Sequence, residues 1–167
     1  MNAPRIDLRE RLVRVELGEV RVTADPEETL VTYALGSCVA VIAHDPVRRL
    51  GGMIHVMLPD AKASPERAQR QPGAFANTGV ALLFEQLHAI GGRRAEVQVK
   101  LVGGARIGAA DLFEIGARNY EQIRRILDRN GVRVIGEDVG GTISRTVRLE
   151  VATGAVVVRS GSKVWSV

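Results

Sequence analysis

Two apolar runs flank an Asp-Pro pair: Val39-Ala40-Val41-Ile42-Ala43 before Asp45-Pro46, and Met53-Ile54-His55-Val56-Met57-Leu58 after it. Neither run alternates with polar residues, so each reads as a strand with both faces largely buried. Proline pre-sets φ for a type I or II turn, which makes the pair a β-hairpin. A tight turn over 45–48 puts Cys38 directly opposite His55, with Cβ atoms about 4.5–5.5 Å apart. A slip of two residues leaves them diagonal neighbours, and a slip of one sends them to opposite faces. A longer loop through Arg48, Arg49 and Leu50 is an open alternative.

Cys38 is the one cysteine of the chain, and His55 one of three histidines. A thiol beside an imidazole is a nucleophile with its base, and an ion pair between them lowers the thiol pKa from about 8.5. Gly36 permits a positive φ ahead of the cysteine, and the N–H groups of Cys38 and Ser37 can then hold an oxyanion. The plain alternative stays open. A cysteine in an apolar strand is usually an inert small hydrophobe, and a strand histidine is usually a satisfied core residue.

With 167 residues the chain suits one domain, residues 1–167, with 1–11 and 160–167 as flexible tails. No apolar run reaches the roughly 18 residues that a membrane helix needs, and the start lacks the apolar core of a signal peptide. A single cysteine fits a reducing, cytoplasmic setting. One cysteine and three scattered histidines offer no metal-ligand spacing. The net charge of +4 concentrates at Arg67–Arg70 and Arg124–Arg129. Six aromatic residues, none set within a basic run, do not build a nucleic-acid stacking surface.

In order, residues 12–15 and 19–23 read as strands or a hairpin, and 29–35 as a third strand. Residues 60–71 are polar and punctuated by Pro59, Pro65 and Pro72, which reads as a long loop. Residues 77–90 form the clearest helix, with Val80, Leu83, Phe84 and Leu87 on one face. Residues 95–102 alternate as a strand ending at Gly103-Gly104-Ala105, glycines suited to packing against the Cys38 corner. The stretch 107–115 is ambiguous. Residues 119–130 read as a second helix with Tyr120, Ile123 and Leu127 inward, and 132–135 as a strand. Glu137 and Asp138 fall on an expected turn, as a solvated pair, a metal site or a third catalytic member. Residues 145–151 and 155–158 pair across Thr153-Gly154. The expected class is α+β: layered mixed, sandwich-like sheets with two main helices on an outer face.

The blocks LGSCVAV, GGMIHVMLP, NTGVALLFEQL, VKLVGGA, IGARN and GEDVGGTISR, spread from about Leu17 to Val158, resemble the CheD family of chemoreceptor glutamine deamidases. The resemblance implies a fold related to toxin-type glutamine deamidases. It implies a cysteine-dependent amidohydrolase, a protein-glutamine glutaminase, that converts receptor glutamines to glutamate and releases ammonia in bacterial chemotaxis. It places the nucleophile on Cys38, the base on His55 and a supporting hydroxyl on Thr32. It implies no cofactor, with the cytoplasmic helices of methyl-accepting receptors as substrate and a CheC-type phosphatase as a partner. A non-catalytic adaptor binding the receptors or that phosphatase is the alternative.

Overall fold

The computed structural model describes residues 11–108 and 113–167. Among these, ten strands form two five-stranded sheets. The first sheet orders β1 (Arg11–Arg14), β3 (Glu28–Leu35), β8 (Arg145–Glu150), β9 (Val156–Ser160) and β10 (Lys163–Ser166). The second orders β2 (Val20–Thr23), β5 (Leu50–Val56), β4 (Val39–Asp45), β6 (Gln98–Gly103) and β7 (Arg133–Val139). A short helix α1 (Pro65–Arg70) and two long ones, α2 (Ala76–Ala89) and α3 (Ile115–Arg129), complete the described elements, with 3-10 turns at Ala61–Ala63 and Pro72–Ala74. The expected α+β class, with layered mixed sheets and two main helices outside, is the class observed.

The two apolar runs explain the layering. Every residue of β4 and β5 is buried. Val39, Val41 and Ala43 face Val80, Leu83 and Leu87 of α2 and Ile123 and Leu127 of α3. Ala40 and Ile42 point the opposite way and meet Leu30, Val147, Leu149 and Val158 of the first sheet. The order is therefore sheet, sheet, helices, with the hairpin in the middle layer. Each fully buried Leu, Ile or Val in these two clusters contributes about 1.5–3 kcal/mol.

Several expectations change. The hairpin turn is longer than four residues: Asp45 pairs with Leu50, Ala40 with His55 and Val39 with Val56. The register is slipped by two from the tight-turn alignment. Asp45 is the cause. Its buried carboxylate accepts from the Val47 and Arg48 amides at 3.0 Å and from the Arg48 guanidinium at 2.9 Å, so the loop wraps around the side chain before closing. Parity is kept, so Cys38 and His55 remain on one face.

Strands β1 and β2 do not pair with each other. β1 runs parallel to β3, and β2 runs antiparallel to β5 in the other sheet. The polar stretch 60–71 carries helical turns, because Ser64-Pro65 starts α1 with Pro at its first position. Helix α3 begins at Ile115, ahead of the expected 119. The earlier residues 109–112 of the ambiguous stretch, and residues 1–10 of the expected N-terminal tail, lie outside the described residues.

Residues 160–167, expected as a flexible tail, contain β10, which pairs with β9 at the sheet edge. Trp165 packs against the core between the sheets and donates from Nε1 to Asp138 at 2.8 Å. The indole face gains by covering apolar side chains while its N–H keeps a partner, and this ties the last strand to the sheet edge.

Candidate active site

The strand β3 carries Thr32 in the first sheet, and β5 carries His55 in the second. Both residues are 1% exposed. Thr32 Oγ1 lies 2.7 Å from His55 Nδ1 and 2.7 Å from the Val15 carbonyl oxygen. A hydroxyl has one proton and a carbonyl can only accept, so the Thr32 proton goes to Val15. Nδ1 must then carry a hydrogen and donate it to Thr32. This assignment leaves Nε2 as the bare, basic nitrogen. Nε2 is buried and has no hydrogen-bond partner.

Past Thr32 the backbone departs from the ladder. Ala34 adopts a left-handed φ of 55°, and the pairing of β3 with β8 shifts between Thr32 and Leu35. The positive φ expected at Gly36 is thus found at Ala34. Gly36 serves close approach instead: a Cβ there would stand 3.0 Å from Ile107 Cγ1. The chain then reaches Cys38, immediately before β4. The residue is half-buried.

The loop 36–38 is pinned by its carbonyls. Ala105 N donates to Gly36 O at 2.8 Å, Asn119 Nδ2 to Ser37 O at 3.1 Å, and Gly104 N to Cys38 O at 2.8 Å. The expected packing of Gly103-Gly104-Ala105 against this corner is what occurs. Gly103 has φ 118°, and a side chain there would collide with the Cys38 carbonyl. In a trans peptide the N–H points opposite to the C=O. Holding the Gly36 and Ser37 carbonyls inward therefore turns the Ser37 and Cys38 N–H groups outward, and neither donates to a backbone carbonyl among the described residues.

Cys38 and His55 do not form the expected hydrogen-bonded ion pair. The slipped register makes them diagonal rather than opposed, and Nε2 is without a partner. Burial pulls the imidazole down to about 4. Burial also pushes the Cys38 thiol above its ordinary range, against the smaller opposing pull of its own backbone N–H. Both shifts favour the uncharged forms, neutral thiol and neutral imidazole.

Glu137 and Asp138 lie on β7, not on a turn, and both are engaged elsewhere. Glu137 accepts from Tyr120 and Arg124 at 3.0 Å. Asp138 accepts from Arg145 at 3.1 and 3.2 Å. Among the described residues, no cluster of three His, Cys, Asp or Glu is placed to hold a metal, and no helix is long and apolar enough to cross a membrane.

Sequence reasoning missed Val15, whose role is purely backbone, and Asn119. A signal for Asn119 existed. It falls on the same helical stripe as Ile123 and Leu127, and a polar residue on a buried stripe needs a partner.

Fold and site together define a layered α+β protein with a half-buried cysteine, a tautomer-fixed imidazole and outward backbone N–H groups gathered along one seam. The model of the CheD family, described as CheD chemotactic sensory transduction, matches residues 57–160. The chain belongs to the CheD family. A relative from Anaeromyxobacter dehalogenans, named probable chemoreceptor glutamine deamidase CheD 2, is 48% identical over 92% of this chain and 97% of its own length. Probable chemoreceptor glutamine deamidase CheD 1 of Syntrophus aciditrophicus is 42% identical over 89% of this chain and 93% of its own. Chemoreceptor glutamine deamidase CheD of Thermotoga maritima is 38% identical over 87% and 89%. Among solved structures, a Neisseria meningitidis protein aligns with a TM-score of 0.43 at 16% identity, over 74% of this chain and 54% of its own.

Proposed function

We propose that the chain is a protein-glutamine deamidase that hydrolyses glutamine side chains of methyl-accepting chemoreceptors, acting on their cytoplasmic helices from the cytoplasm. The names carried by its relatives support the reaction class. The observation that carries the site is the bare Nε2 of His55, fixed by Thr32, on the same face as a part-exposed Cys38.

The chemistry follows from that arrangement. The carboxamide enters beside Cys38. His55 Nε2 takes the thiol proton as sulfur attacks the amide carbon. Neither charge is stable alone in so dry a place, so thiolate and imidazolium form together, each stabilising the other, only as the substrate closes the site. The outward N–H groups of Ser37 and Cys38 receive the oxyanion. Imidazolium then protonates the departing nitrogen, which leaves as ammonia. Water, losing its proton to Nε2, attacks the thioester carbon, and the thiol leaves with that proton returned. The net change is glutamine plus water to glutamate plus ammonia.

The test is incubation of receptor cytoplasmic fragments with the wild-type chain and with Cys38→Ala. Wild type should release ammonia and convert defined glutamines to glutamate by peptide mass spectrometry, and the variant should do neither. Conversion by the variant at the wild-type rate overturns the role of Cys38. Receptor binding with no conversion by either chain would leave an adaptor, working through receptors or a CheC-type phosphatase.

A further inference from the structure

Asn119 lies on α3 and is completely buried. Its Nδ2 donates to two carbonyls, Ser37 O at 3.1 Å and Met57 O at 3.0 Å. One precedes Cys38, and the other follows the strand of His55. The amide orientation is settled by these contacts, because the reverse would aim Oδ1 at two oxygens that cannot donate.

Beyond the Val39–Val56 pair the two strands part. Met57 and Leu58 donate to Ala74, and the Cys38 carbonyl turns to Gly104. No ladder bond therefore spans the mouth of the site, and Asn119 bridges it. The Ser37 carbonyl also belongs to the same peptide unit as the Cys38 N–H. A donor fixed on that oxygen aims that N–H the opposite way, out toward the thiol. Meanwhile Asn119 Oδ1 is left buried and unpartnered, a condition shared among the described residues only by His55 Nε2. Leaving a buried acceptor unpaired works against stability. Both such atoms belong to residues bonded to this one seam.

We propose that Asn119 is a positioning residue for the oxyanion donor: by holding the Ser37 carbonyl against the Met57 carbonyl it aims the Cys38 N–H at the developing oxyanion. The role rests on the deamidase reading above. Asn119 touches no substrate and acts through the backbone alone.

Full-length Asn119→Ala and the near-isosteric Asn119→Asp are compared with wild type in three measurements: circular dichroism melts, kcat and KM on a receptor fragment, and iodoacetamide alkylation of Cys38. Alkylation passes through no oxyanion, so it separates donor aim from general damage. For Asn119→Ala, kcat should fall about 10²-fold, the usual cost of a lost oxyanion donor, with KM and the alkylation rate each within about threefold of wild type. Asn119→Asp keeps one O–H donor only while protonated, so its kcat should fall with rising pH where that of wild type does not. Wild-type kcat in Asn119→Ala, while Cys38→Ala is inactive, overturns the Asn119 role alone. Activity retained by Cys38→Ala overturns the site and this role with it. Loss of fold in both variants, or a kcat loss matched by a rise in alkylation, means that Asn119 is purely structural and overturns the proposal.

Discussion

Thr32 Oγ1 and His55 Nδ1 are 2.7 Å apart across the seam between the two sheets, and the same hydroxyl is committed to the Val15 carbonyl. A neutral relay, with no carboxylate in it, sets the histidine tautomer. Thr32 is held by β3 and His55 by β5, so the packing of one sheet on the other places the imidazole.

Removing the hydroxyl should release the tautomer. Thr32→Val keeps the shape but leaves Nδ1 and Val15 O unpaired in a dry site. Deamidation should fall about 10²-fold, while Thr32→Ser keeps most of the activity. Steady-state kinetics on a receptor fragment check this, and equal activity of the Val and Ser variants would remove Thr32 from the mechanism.

Burial favours the neutral thiol over the thiolate, so free Cys38 should be a slow nucleophile at neutral pH. Its alkylation by iodoacetamide should climb through an inflection above the ordinary thiol range, as the raised pKa requires. A flat, fast rate between about pH 6 and 8 would instead reveal a preformed thiolate–imidazolium pair.

His55 should also make the fold acid-sensitive. Its folded pKa of about 4 lies below the unfolded value of 6.5, so the unfolded chain binds the proton first. The contribution is intact above pH 6.5 and is lost as pH falls toward 4. Between pH 7.5 and pH 5 the loss is about 2 kcal/mol. Urea titrations at the two pH values should show it in wild type and not in His55→Gln. Equal pH responses in the two proteins would mean that the imidazole is not desolvated.

Gly103→Ala should displace the cysteine loop. The backbone there has φ 118° and the new methyl would press on the Cys38 carbonyl. A loss of at least about 2 kcal/mol is expected, with deamidation falling alongside. Gly131→Ala, also at positive φ but with nothing within 4 Å, should cost only about 1 kcal/mol of strain. Guanidinium midpoints compare them, and equal losses would show that contact with the loop is immaterial.

Local patterns in the sequence were enough for the layered class, the doubly buried hairpin, the two long helices and the pairing of β8 with β9. Hydrophobic period and turn chemistry act over a few residues, and they are visible without any distant partner. Cys38 and His55 could be placed on one face for the same reason, since strand parity survives a slip of two. The slip itself came from Asp45 gathering the amides of Val47 and Arg48, which depends on burial of its carboxylate. Tertiary packing alone decided that residues 163–166 become an edge strand, that Val15 and Thr32 choose the tautomer of His55, and that Asn119 spans Ser37 and Met57. Each of these joins segments remote in the chain. Their energy comes from desolvating polar groups that must then be matched, and no local stretch of residues records which partner will arrive.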